Sequence, residues 1–104
     1  MSEISKLEQT LIIKKIDKET SNIKILDNDI LLSILGAFNK NLIELEKLSK
    51  VKLFFRGNSI TAKGKPEDLA TVSDAIKFLV NKFLLTNSIE KSDIIWAVKK
   101  DIPT

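Results

Sequence analysis

Between Val51 and Lys63 the chain alternates residue types around a Gly-Asn pair. Val51, Leu53 and Phe55 interleave with Lys52, Phe54 and Arg56, and Gly57-Asn58 leads into Ser59-Ile60-Thr61-Ala62-Lys63. A period of two is the mark of a strand that buries one face. A two-residue Gly-Asn connection favours a tight antiparallel hairpin. That loop length sets the register. Phe55 stands opposite Ile60 and Leu53 opposite Ala62 on one face, while Phe54 faces Thr61 and Lys52 faces Lys63 on the other. A lone hairpin is barely stable in water, so the rest of the chain has to cover its apolar face.

Helical periodicity on both sides supplies the cover. Asp27 or Asn28 is placed to cap a helix over roughly 29–35, accepting from the unpaired amides of its first turn. Gly36 stops it, because glycine takes the conformation needed just past a helix end at little cost. Asn39 reads as the cap of a second helix, with Leu42, Leu45 and Leu48 as its apolar stripe, Ile43 widening it, and Glu44, Glu46 and Lys47 facing water. After the hairpin, Gly64-Lys65-Pro66-Glu67-Asp68 opens a long helix, with proline at a tolerated first position and two acids at its positive end. Leu69, Val72, Ile76, Leu79 and Phe83 form its buried stripe, and Thr86-Asn87-Ser88 ends it. A last helix over about 91–99 carries Ile94, Ile95, Trp96 and Val98.

Upstream, Leu11–Ile16 is rich in β-branched residues, 17–22 is a polar break, and Asn22–Leu26 alternates again, so two strands around a turn are expected. Ile4, Leu7 and Leu11 also follow helical spacing, which points to a short N-terminal helix. The expected fold is α+β: a β-α-turn-α-β-β-α core whose three-stranded antiparallel sheet carries its helices on one face, with an extra N-terminal strand or helix and an extra C-terminal helix. Residues 1–21 read as an N-terminal extension, and 22–104 as the domain with its C-terminal helix.

Composition narrows the chemistry. In 104 residues there is no Cys and no His, which removes thiolate chemistry and the commonest general base and metal ligand. Glu44 and Glu46 point to different sides of one helix, and Glu67-Asp68 is explained by the helix dipole. No catalytic constellation and no metal site is expected, so the chain is not read as an enzyme. Lysine and arginine number 17 against 14 acids, a net +3, and Arg56 is the only arginine. That charge permits phosphate binding without demanding it. No apolar run reaches the ~18 residues of a membrane span, and Met1–Gln9 does not read as a signal peptide. A cytoplasmic location without membrane contact is the expectation.

The run Ile34-Leu35-Gly36-Ala37-Phe38-Asn39-Lys40-Asn41-Leu42, the hairpin and Gly64-Lys65-Pro66 together resemble a type I KH domain. They are closer still to the KH-like N-terminal domain of PhoH-family P-loop ATPases, which similarly runs from an apolar helix through G-x-x-[DN]-x-N-[LI], an L-E pair (Leu45-Glu46), R-G-N (Arg56-Gly57-Asn58) and G-x-P. The likeness spans Asn22 to about Lys99. Asn39 stands where a KH loop has its second glycine, and Ser49-Lys50 where a glycine often follows the second helix. The resemblance implies single-stranded RNA held between the 36–41 turn and the hairpin, in an RNA-binding accessory domain that works with a P-loop ATPase domain. ATP and Mg belong to that downstream domain of the family. This chain holds no G-x-x-x-x-G-K-[ST], so no cofactor is expected in it. It resembles an excised domain or a stand-alone relative, with oligomers arising through a full-length protein. The alternative is a protein-interaction module docking on the ATPase domain or on neighbouring subunits.

The residues implied for nucleic acid are Gly36, Phe38, Asn39, Lys40, Asn41, Lys52, Arg56 and Lys63. Each has a plainer reading beside it. Gly36 either admits a phosphate to a helix N-terminus or simply stops a helix. Phe38 either stacks on a base or folds back over the core. Asn39 and Asn41 either read a base edge or hold the turn. The four cations form a basic rim or an ordinary solvated face. Phe54 is either covered by the N-terminal strand or the C-terminal helix or an exposed contact, and Trp96 is expected in core or domain-interface packing rather than as a ligand platform.

Overall fold

The computed structural model describes residues 10–99. Strand β1 (Leu11–Asp17) turns through Lys18-Glu19 into β2 (Thr20–Ile25). Helix α1 (Asn28–Leu35), a 3-10 turn (Ala37–Asn39) and helix α2 (Lys40–Ser49) follow, then the hairpin of β3 (Lys52–Arg56) and β4 (Ser59–Lys63). Helices α3 (Pro66–Thr86) and α4 (Lys91–Val98) complete the described chain. The expected α+β architecture is present. The upstream segment forms a strand, and the sheet has four antiparallel strands in the order β1-β2-β4-β3. An N-terminal helix through Ile4 and Leu7 lies outside the described residues. Leu11, the third residue of that spacing, is in β1.

The hairpin takes the register its loop demands: Lys52 opposite Lys63, Leu53 opposite Ala62, Phe54 opposite Thr61 and Phe55 opposite Ile60. β2 then pairs with β4, Ile23 opposite Ile60 and Ser21 opposite Ala62, so the inner strand β4 is buried on its inward side. The helices lie against that side alone. Ile23, Ile25 and Ile60 meet Ile30 and Ile34 of α1, Leu45 of α2, and Val72, Ile76 and Leu79 of α3 in one core. Each such side chain, taken fully out of water, contributes about 1.5–3 kcal/mol.

Local chemistry sets the helix ends. Asp27 caps α1, its Oδ1 accepting from the Ile30 N–H at 3.1 Å. Gly36 ends α1 with φ 75° and ψ 170°, its N–H donating to the Leu32 carbonyl at 2.9 Å. α2 ends at Lys50 in the left-handed conformation (φ 63°), where its N–H donates to the Glu46 carbonyl at 3.1 Å.

Several expectations are corrected. Asn39 occupies the N-cap position of α2 but makes no side-chain cap bond, because its backbone is left-handed (φ 60°, ψ 26°) rather than extended as such a cap requires. Ile43 is exposed and does not widen the buried stripe of α2. Glu46 is half-buried and tied to the sheet, its Oε2 accepting the Leu53 N–H at 2.9 Å. Phe83 is half-buried, and Ala75 and Val80 complete the stripe of α3. On α4, Ile94 and Ala97 are buried and Val98 packs against the core, while Ile95 and Trp96 are exposed. Of the two readings open for Phe54, the exposed one holds among the described residues: β1 lies at the opposite edge of the sheet, and Phe54 is half exposed.

Candidate functional site

The turn between α1 and α2 is held by one side chain. Asn41 Nδ2 donates to the Ser33 carbonyl at 3.0 Å and so ties the start of α2 to the end of α1. This is the turn-holding role of the two readings open for Asn41. Within the turn, Phe38 (φ 55°, ψ 31°) and Asn39 are left-handed in succession. That conformation costs a non-glycine residue roughly 1–2 kcal/mol, less for asparagine. Asparagine is one of the side chains that take this backbone most readily. The strain projects Phe38 outward, and it is 95% exposed, the most exposed large apolar residue described. It does not fold back over the core.

A groove of ≈ 400 Å³ is lined by Phe38 and Asn39 of the turn, by Leu42, Ile43 and Glu46 of α2, and by Leu53, Phe54 and Phe55 of β3. β3 is an edge strand, so its outer backbone groups open into this groove. Glu46 takes the Leu53 N–H. By the antiparallel alternation, Phe55 likewise turns its N–H and C=O outward, available to a base edge or to an extended peptide. The groove lining contains three aromatic rings, one carboxylate and no cation.

The candidate residues divide into three places. Phe38 and Asn39 line the groove. Gly36, Lys40 and Asn41 lie in a recess of ≈ 210 Å³ on another side of the turn, with Ala37, Glu44 and Lys91. Lys52 and Lys63 line a basin of ≈ 590 Å³ at the end of the sheet, together with Lys50 and Lys65 and the acids Asp17, Glu19 and Asp68. Arg56 lines none of the three. The groove residues that sequence reasoning did not single out as nucleic-acid-binding residues are Leu42, Ile43, Glu46, Leu53, Phe54 and Phe55. Phe54 had a signal in its outward register position. Ile43 had none, because it reads equally well as part of the helix stripe.

No described element covers the sheet face turned away from the helices. The pairing registers lay it out in three transverse rows: Ile12-Lys24-Ser59-Arg56, Lys14-Asn22-Thr61-Phe54 and Asp17-Thr20-Lys63-Lys52. Asn22 Nδ2 donates to Thr61 Oγ1 at 3.4 Å in the middle of this face.

Among the described residues no cluster of acids suited to a metal ion is found, and no described helix is long and apolar enough to cross a membrane. Compared with known proteins, the chain matches no family model, no curated protein and no solved structure at a significant level.

Proposed function

We propose that this chain is a non-catalytic accessory domain that captures single-stranded RNA, in the manner of the KH-like module of a PhoH-like ATPase. The observation that carries the reading is the groove. Two segments remote in sequence, the 36–41 turn and β3, bring Phe38 beside Phe54 and Phe55 along a free strand edge. Rings in such a place stack on bases whatever their sequence, and the outward backbone groups of Phe55 are placed to bond a base edge. Catalysis, ATP and Mg are left to a separate P-loop domain. Calorimetry of the isolated chain with Mg-ATP is expected to show no binding.

The test is fluorescence anisotropy with a labelled single-stranded oligouridylate at low salt. Phe38→Ala is expected to weaken binding about tenfold, the worth of one base–aromatic stack. Lys40→Glu, in the recess on the other side of the turn, tests phosphate capture there and is expected to weaken binding and to flatten the salt dependence. Unaltered affinity in Phe38→Ala overturns the groove assignment.

A second reading has an observation of its own. The groove lining has no cation, and the exposed Phe38, Ile43 and Phe54 are the kind of apolar contact a protein partner covers. An absence of RNA binding even at low salt moves the groove to a protein-docking role, against the ATPase domain or a neighbouring subunit.

A further inference from the structure

Charge is distributed very unevenly over this molecule. The chain as a whole is nearly balanced, with 17 cations to 14 acids. The twelve outward positions of the sheet are not. Five of them, Lys14, Lys24, Lys52, Arg56 and Lys63, are cations, and a single one, Asp17, is an acid. Asp17 sits at the corner of the face and is already engaged, its Oδ1 accepting the Glu19 N–H at 2.8 Å. None of the five cations has a carboxylate within ion-pair reach among the described residues, where Lys82–Asp93 is the one pair formed. All five are exposed, and no described helix crosses this side of the sheet.

We propose that the open sheet face is a second nucleic-acid surface, a track for the phosphates of a single strand whose bases meet Phe54. The proposal rests on the RNA reading above and extends it to a surface away from the turn. Charge complementarity selects a polyanion. The centre of the face selects a single strand over an acidic protein. Its middle row offers the half-exposed ring of Phe54 with the amide and hydroxyl of Asn22 and Thr61 beside it, which suits an unpaired base better than a carboxylate. Rows lie about 6.8 Å apart along the strands, twice the rise per residue, so cations in the first and last rows bracket a few nucleotides. Phe54 belongs both to this face and to the groove, so one strand is able to pass around the free edge of β3 from one to the other.

The experiment titrates the whole chain against a labelled single-stranded oligouridylate over a range of salt. The sheet variant carries Lys24→Glu with Lys63→Glu. A control carries Lys77→Glu with Lys99→Glu, two exposed lysines on α3 and just past α4, on the helical side. It matches the change in net charge. Phe38→Ala reports on the groove, and thermal melts confirm that each variant is folded. The sheet variant is expected to lose about tenfold or more in affinity, with a salt slope lower by roughly 0.7 for each phosphate contact removed, while the control binds as wild type does. An equal loss in the sheet variant and the control reduces the effect to net charge and overturns the proposal. A sheet variant that binds normally also overturns it; if Phe38→Ala is then weakened, the groove reading stands alone. Wild-type protein that ignores the oligonucleotide but binds polyglutamate overturns both and gives the face to an acidic protein.

Discussion

A side chain on Gly36 would enter space that Asn41 already fills: a Cβ built there lies 2.7 Å from both Cγ and Nδ2 of Asn41. The same Asn41 amide is the one bonded to the Ser33 carbonyl. Gly36 is therefore required twice, by its positive φ and by its neighbour. Gly36→Ala is expected to cost about 2 kcal/mol or more, beyond the ~1 kcal/mol of the backbone alone. Adding Asn41→Ala removes the two 2.7 Å contacts and leaves only the tight 3.1 Å one to its Cβ, so the double variant is expected to lose less than the two single losses summed. Urea denaturation of the four proteins in the cycle measures this. Gly36→Asp is consequently a poor probe of RNA binding, since it disturbs the turn itself.

The end of α2 offers the opposite case. Lys50 holds a left-handed backbone at φ 63°, and its side chain is exposed. Lys50→Gly is expected to stabilise the protein by about 0.5–1 kcal/mol, visible as a higher urea midpoint with an unchanged slope. A lower midpoint would mean that the lysine stem packs on the chain.

Glu46 links α2 to the free edge of the sheet through the Leu53 N–H. Removing the acceptor leaves a half-buried amide unpaired. Glu46→Ala is expected to cost about 1–2 kcal/mol. Glu46→Gln, which keeps an oxygen there, is expected to cost less than half as much. Equal losses in the two variants would assign the effect to charge rather than to the hydrogen bond.

At the junction of α3 and α4, Lys82 Nζ donates to Asp93 Oδ1 at 2.7 Å, and the Glu90 N–H donates to Asp93 Oδ2 at 2.9 Å. The Lys82 hydrogen bond chiefly, and the Glu90 amide second, hold the Asp93 carboxyl below its ordinary value of 3.8. A carboxyl depressed in the folded state adds stability that is complete above the unfolded pKa and is lost as pH falls through the folded one. Asp93→Asn is expected to be less stable by about 1 kcal/mol at pH 7, with the difference flat down to about pH 5 and closing below pH 4. Thermal melts from pH 7 to pH 3 test this. A difference that widens in acid would contradict it.

Much of this protein is settled by its sequence because much of it is local. The Gly57-Asn58 loop and the alternation beside it fix the β3–β4 register within thirteen residues. Asp27 and Gly36 bound α1, and Pro66 with Glu67 and Asp68 opens α3, each through a side chain or backbone preference acting on its own turn. Order along the chain leaves the placement of β3 open. Pairing β2 with β4 joins Asn22 to Thr61 across 39 residues, and it is chosen because it buries Ile23, Ile60 and Ala62 under the helices together. That choice leaves β3 at an edge, opens the groove to Phe38, turns Glu46 toward Leu53, and gathers Lys14 and Lys24 with Lys52, Arg56 and Lys63 on one face. Periodicity states which residues share a face of their own strand. Only the burial of several strands at once decides which strands lie side by side, and therefore which charges and rings become neighbours.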